Sequence, residues 1–348
     1  MTFGDVCVLN DYALRGRHGE KVIWSHLIER LGCSFMDCPS TGTKDGKALR
    51  EAAKATPGRP RLWIQNASWN PPHAGGPEPY VAVLMDNLRR LKDERAVSQT
   101  MALDHAEAIV ANSEHFREDY PEFSHKMAVI PLGVDVDFFS RDAAGVDTAL
   151  PGAARADVPI SPGDRAAARA RRRAIFVGDA TAQKGWLKVV ALAEMREDLD
   201  WTFVLKSFVE RLMPPGRLEV HVPPEKVRDL LCASDVFVLG STCEGGSQAP
   251  LEALACGLPV VMPPAGDFAT WKPASYFDVA APFDGRCFDR ALTKCLETPC
   301  DPRGDLLGAG HYDVASVVAR WRALLEGILN GDGTARQSVL GHEARTPP

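Results

Sequence analysis

Several things are missing from this 348-residue chain, and each absence removes a class of function. There is no run of 18 apolar residues, and Met1 to Asp11 lacks the basic flank and apolar core of a secretory leader. Neither a membrane span nor export is expected. Cysteine occurs nine times, at 7, 33, 38, 232, 243, 256, 287, 295 and 300, without a recurrent C-x-x-C spacing. An odd number cannot all pair internally, and no ligand pattern for a structural metal emerges. Cysteines in apolar runs read as small hydrophobes, which fits a reducing cytosol. Positive charge is not in excess: the net charge of -6 and pI near 5.9 argue against a broad nucleic-acid surface or a polybasic membrane patch. The chain also lacks H-E-x-x-H and a Ser-His-Asp order, which disfavours metalloprotease and hydrolase chemistry. No short-period internal repeat is found.

What is present is ordinary soluble composition, 45% hydrophobic and 25% charged, in a chain long enough for two cores. The most informative stretch is Glu244-Gly-Gly-Ser-Gln-Ala-Pro-Leu-Glu252, continuing into Ala-Leu-Ala-Cys-Gly-Leu-Pro-Val-Val261. Before it, Asp235-Val-Phe-Val-Leu-Gly240 is a short β-branched and aromatic run that reads as a buried parallel strand. After it, Ala249 to Cys256 reads as a helix, with Pro250 near its first turn, Gly257 as a stop and Pro259 beyond. Strand, glycine loop and helix in that order make an anion site: the helix offers unpaired N–H groups, and Gly245 and Gly246 let backbone approach the ligand. Glu252 is expected about two turns into the helix and Glu244 at the mouth of the loop, two carboxylates able to accept from ribose and hexose hydroxyls.

This stretch resembles the signature of the family 4 retaining glycosyltransferases (glycosyl transferases group 1), Glu-x7-Glu within "EG-G-LEA-A-G-PVV". The likeness extends along the chain in the family's order. Ala106-Glu-Ala-Ile-Val-Ala-Asn-Ser-Glu114 is similar to the strand before the interdomain region, Val129-Ile-Pro-Leu-Gly-Val-Asp135 to "IPNGVD" with Leu132 in the Asn place, and Ile175-Phe-Val-Gly-Asp-Ala-Thr-Ala-Gln-Lys-Gly185 to the "VGR...KG" loop. The resemblance implies an α/β GT-B fold, two Rossmann-like doubly wound parallel-sheet domains facing a cleft. It also implies retaining hexosyl transfer from a UDP- or GDP-sugar to an acceptor hydroxyl, without a metal or other cofactor.

The corresponding domains are 1–140, binding acceptor, and 174–330, binding the nucleotide sugar, with a last helix that in the family crosses back to the first domain. A linker rich in Ala, Gly, Pro, Asp and Arg occupies 141–173, and residues 331–348 form a polar tail. Arg165, Arg169, Arg171, Arg172 and Arg173 read as a solvated face rather than a polyanion contact. Asp5 to Leu9 is a first strand and Lys21 to Leu31 a helix; Gly16 and Gly19 in the loop between them are either donor contacts or parts of a plain turn. The strand Arg61 to Asn66 leads into the proline-rich Ala67 to Pro79, where Trp69 is either a stacking surface for acceptor sugar or a rim residue. By the resemblance described above the family has a His after this strand, near the reacting sugar; Asn66 and Ser68 stand about there instead.

By the same resemblance Glu244 holds donor-sugar hydroxyls and Glu252 the ribose, with Gly178, Gly245, Gly246, Ser247 and Gln248 backbone around sugar and phosphate. Lys184 neutralises the leaving diphosphate, as positive charge there must. The family supplies an Arg as well; Asp179 stands in its place, so Lys206 is either the second cation or a surface charge. Asp135-Val-Asp137 matches a metal-binding Asp-x-Asp in form but lies in the junction segment, so metal binding is not expected there. The sequence leaves two alternatives open, a nucleotide-sugar epimerase of the same fold and a catalytically weak sugar-nucleotide-binding protein. The cytoplasm, or the membrane periphery, is the expected location. Acceptor, nucleobase and oligomeric state are not written in the motifs.

Overall fold

The structure, a computed structural model, describes residues 3–10, 23–37, 60–67, 78–85, 89–90, 96–145, 171–206, 213–246 and 248–331. The chain divides into two compact units, one comprising Met1–Gly133, Glu244–Gly246 and Val314–Pro348, the other Val134–Cys243 and Ser247–Asp313.

The first unit is built on a parallel sheet of β1 (Val6–Asn10), β2 (Ser34–Asp37), β3 (Leu62–Asn66), β4 (Tyr80–Leu84), β5 (Ala108–Ala111) and β6 (Met127–Val129), ordered β2-β1-β3-β4-β5-β6. Successive side chains of a strand point to opposite faces. Val6, Val8, Leu62, Ile64, Val81 and Val83 therefore fill one apolar cluster, while Cys7, Trp63, Ala82 and Leu84 fill another. Both faces are covered, which is why these strands read as nearly continuous apolar runs. One face is closed by Ile23, Trp24, Leu27 and Leu31 together with Val317, Trp321, Leu324 and Leu325 from the last helix, Val314–Asn330. Arg61 fastens that helix by donating to the Leu329 carbonyl, 2.8 Å.

The second unit holds β7 (Arg173–Gly178), β8 (Asp200–Leu205), β9 (Arg217–Val220), β10 (Val236–Val238), β11 (Val260–Met262) and β12 (Tyr276–Asp278), parallel in the order β12-β11-β10-β7-β8-β9. Counted within the unit this is 3-2-1-4-5-6, the dinucleotide-binding order, and its direction reverses between β7 and β10. Helix Trp186–Met195 is anchored by Trp186, whose ring lies 5.5 Å from Phe176 and 5.4 Å from Phe203. The unit closes on itself: the Val134 N–H donates to the Tyr312 carbonyl, 2.8 Å, so its first and last residues meet.

The helix after the glycine loop runs Gln248–Ala255. Gly257, at φ 80°, ends it: its N–H donates to Leu254 and that of Leu258 to Ala253, a left-handed stop that glycine adopts without strain. Glu252 thus lies about one turn into the helix, not two: it is the fifth residue counted from Gln248, and 3.6 residues make a turn. Beyond β6, Asp135 turns a carboxylate oxygen to the Phe138 N–H, 2.9 Å, closing a turn at the start of the second unit. The expected linker falls outside the described residues from 146 to 170, as does the tail from 332 onward.

Candidate active site

Ligands of open α/β sheets collect beyond the carboxyl ends of the strands, where the strand order reverses. In the second unit that place lies past Gly178 of β7 and Gly240 after β10. There the two following loops touch backbone to backbone. A Cβ on Gly185, which sits at φ 65°, would stand 2.2 Å from the Gly240 carbonyl oxygen, and one on Gly240 would stand 2.6 Å from that of Gly185. Any side chain at either position forces the loops apart. Gln183 adds a second tie, its amide donating to the Cys243 carbonyl at 3.4 Å, and the Ser241 hydroxyl donates to the same carbonyl at 3.1 Å.

This junction fixes the start of helix Trp186–Met195 and, just before it, half-buried Lys184. The Lys184 stem lies over Gly178, its Cγ being 3.8 Å from where a Gly178 Cβ would be. Lys206 follows β8, the next strand of the sheet, and is also half-buried. Asp179 is half-buried; its carbonyl accepts from the Thr181 N–H, 2.8 Å.

Glu252 is partly buried as a residue, with its carboxyl enclosed by protein. Burial pushes the carboxyl up to about 7, opposed by the Gln248 amide, which donates to it at 3.0 Å, and by the Lys206 charge. Desolvation penalises the ionised form; the amide and the cation favour it. Gln248 spends its N–H on Glu252, and its buried carbonyl oxygen has no hydrogen-bond partner among the described residues.

Glu244, Gly245 and Gly246 cluster with the first unit. Glu244 is 5% exposed, deeper than a residue at a loop mouth. The Gly245 carbonyl accepts from the Ser113 hydroxyl at 2.8 Å, and Ser113 Oγ is also 2.8 Å from His115 Nδ1. A Cβ on Gly246 would sit 2.9 Å from Leu132 Cδ1 and 3.1 Å from Asn112 Cβ. Asn112, Ser113 and His115 are buried at the carboxyl end of β5, and both polar atoms of the Asn112 amide lack a partner among the described residues. None of these three was singled out from sequence as a site residue. The available signal was a polar Asn-Ser-Glu-His run directly after the apolar Ala108–Ala111 strand.

In the first sheet the order reverses at β1 and β3. Asn66 ends β3 there, 6% exposed, with its amide on Met85 Sδ at 3.7 Å. Gly16, Gly19, Trp69 and Ser247 lie outside the described residues. The structure thus brings Gly178, Lys184, Lys206, Gln248 and Glu252 to the second sheet. It places Asn66 on the first, Gly245 on Ser113 and Gly246 beside Asn112, with Glu244 buried in the same unit.

Two doubly wound parallel six-stranded sheets of this kind define the GT-B fold. Solved structures agree in fold over nearly the whole chain. Sucrose-phosphate synthase from Thermosynechococcus elongatus aligns at TM-score 0.68 and 13% identity, covering 94% of this chain and 99% of that one. Anabaena Alr3699/HepE in complex with UDP and glucose aligns at 0.66 and 14%, covering 92% and 99%. An alpha,alpha-trehalose-phosphate synthase (UDP-forming) from Burkholderia vietnamiensis aligns at 0.70 and 13%, covering 94% and 98%.

Sequence speaks to part of the chain. Residues 171–273 match the family model described as Glycosyl transferases group 1. "Putative teichuronic acid biosynthesis glycosyltransferase TuaC" of Bacillus subtilis (strain 168) is 27% identical over 164 residues, 46% of this chain and 39% of that protein. The chain therefore matches less than half the length of that relative. The protein has the GT-B fold, and over residues 171–273 it is similar to the group 1 glycosyltransferases. No helix among the described residues is long and apolar enough to cross a membrane.

Proposed function

We propose that the protein transfers a hexosyl group from a nucleotide-sugar donor, a UDP- or GDP-sugar, to an acceptor hydroxyl with retention of anomeric configuration and without a metal. The observation that carries this reading is the glycine-to-glycine contact of Gly185 and Gly240 at the reversal of a dinucleotide-type sheet, with Lys184 fixed beside it and Lys206 acting on the buried Glu252 carboxyl. The group 1 match over the same residues supports it. So does the Anabaena HepE complex, a protein of this fold bound to UDP and glucose.

In this reading Glu252 receives the ribose hydroxyls, while Gly178 and the Gly245, Gly246, Ser247 and Gln248 backbone lie along phosphate and sugar. Lys184, with Lys206 as second cation, offsets the charge that Asp179 leaves unbalanced on the diphosphate. The bond between the anomeric carbon and the phosphate oxygen breaks with its electron pair passing to that oxygen. The acceptor oxygen bonds the carbon on the same face, and its proton passes to the departing diphosphate. Glu244 holds sugar hydroxyls rather than acting as a base. Gly16, Gly19 and Asn66 contribute from the first domain, Trp69 stacks on the acceptor, and the protein works in the cytoplasm or at the membrane surface.

A thermal-shift panel of UDP, GDP, ADP and their sugars tests donor binding, because a ligand of the native state alone raises the melting temperature. One nucleotide and its sugar should shift it, and slow donor hydrolysis by the wild type should disappear in Glu244→Ala. Donor that binds but never turns over with any acceptor would remove the transferase assignment.

A further inference from the structure

The geometry points to Ser113 and His115 as positioning residues for the glycine loop, an inference that rests on the donor-binding reading. A carbonyl oxygen can only accept, so at 2.8 Å the Ser113 hydroxyl gives its single proton to Gly245. The neighbouring His115 Nδ1, also 2.8 Å away, must then donate to Ser113 Oγ. This fixes a proton on Nδ1 and leaves a directed chain from His115 through Ser113 to Gly245. All three belong to the same compact unit, and Ser113 and His115 are each only 2% exposed. Hydrogen bonds in such a dry setting polarise one another and hold their geometry.

The consequence lies in the peptide plane. The bond between Gly245 and Gly246 is planar and trans, so its C=O and N–H point in opposite directions. Holding the Gly245 carbonyl on Ser113 turns the Gly246 N–H away from Ser113. Glycine has no side chain to restrict its backbone, so without that anchor the Gly245-Gly246 plane is free to rotate. A side chain at Gly246 would crowd Leu132 and Asn112, so the residue whose plane must be held is one that has to be glycine or displace its neighbours. The chain from His115 thereby sets the direction of one N–H in the loop assigned to the donor sugar. His115 needs only an Nδ1 proton for this, which its neutral tautomer carries, so the device works on both sides of the imidazole titration.

Steady-state donor hydrolysis or transfer, with donor binding followed separately by thermal shift, tests this in Ser113→Ala, His115→Ala and His115→Asn. The Asn amide nitrogen takes the place of Nδ1 as a donor. Losing one oriented hydrogen bond should lower kcat/KM roughly tenfold in Ser113→Ala, carried mainly by kcat, with the melting temperature lowered by a few degrees because the Gly245 carbonyl is left buried without its donor. His115→Asn should recover most of the loss seen in His115→Ala, and the Ser113→Ala, His115→Ala double variant should be no worse than Ser113→Ala alone. Ser113→Ala within twofold of wild type, His115→Asn as impaired as His115→Ala, or a rate that follows a single ionisation near pH 6–7 and vanishes in His115→Asn would overturn the assignment. The last result would make His115 a proton-transfer group. A wild type that neither binds nor hydrolyses any donor overturns the functional reading and this one with it, whereas an active wild type with an unaffected Ser113→Ala overturns only this one.

Discussion

The two sheets are built alike and written differently. Both have six parallel strands covered on two faces, yet the segment that matches a sequence family, residues 171–273, takes in β7 to β11 of the second sheet and no strand of the first. In the second unit the ligand end is shaped by backbone meeting backbone, Gly185 against Gly240, and only glycine permits that approach. Such a constraint leaves a fixed letter in the sequence. In the first unit the corresponding work is done by buried side chains such as Asn112, Ser113 and His115, whose residue types occur everywhere. Motifs record where the backbone has no alternative.

The contrast can be attacked at its most energetic point. Trp321 is 1% exposed in the core of the first unit, and Trp321→Ala should cost about 3–5 kcal/mol there. Hydrogen exchange resolved by peptide should show lost protection over β1 to β6 with β7 to β12 unchanged. Equal loss in both would mean that the units do not unfold separately.

Next in size is a pH effect confined to the second unit. The Glu252 carboxyl titrates near 7 in the fold against 4.5 as its ordinary value. Between those values the native protein keeps a proton that the unfolded chain has released, so stability falls as pH rises through the window and is level above it. Glu252→Gln lacks that fall. It should gain roughly 1–3 kcal/mol over wild type at pH 8 and nothing near pH 4 in urea titrations; an unchanged difference across pH would place the carboxyl in solvent.

A paired glycine substitution sharpens the backbone argument. Gly185→Ala should lose about 1–3 kcal/mol and nucleotide binding together, whereas Gly4→Ala, in open space in the first unit, should move neither. Smallest of all is Asn112→Ala. It removes packing but also a buried amide that has no partner among the described residues, two effects of opposite sign that should leave the melting curve within about 1 kcal/mol of wild type. A large loss would reveal a partner for that amide.

Much of the second unit was legible because its signals are local. Val236–Val238 is β-branched and aromatic, a glycine pair follows, and Gly257 closes the helix. Lys206 could be located from the end of β8, and Lys184 from the Lys-Gly that precedes helix Trp186–Met195. Helix depth was harder: the helix starts at Gln248, one residue before the expected Ala249, and 3.6 residues per turn put Glu252 one turn in rather than two. Short strands such as Arg217–Val220, none of whose residues is fully buried, carry no clear alternation and emerge only from pairing with β8. The bond from Ser113 to Gly245 joins residues 132 positions apart, a separation that no reading of one chain supplies.

The return of helix Val314–Asn330 to the first unit has a consequence during synthesis. The amino-terminal unit leaves the ribosome first but lacks Val317, Trp321, Leu324 and Leu325 until the final helix has been made, roughly 180 residues after Gly133. At about 5–20 residues per second that is a wait of roughly 10–35 s, with Ile23, Trp24 and Leu27 uncovered meanwhile. The later-made unit, joined through Val134 and Tyr312, can finish first. A chain stalled or terminated between Asp313 and the last helix would therefore carry a finished second unit and a sticky, incomplete first one, making the nascent amino-terminal half the natural client of a chaperone.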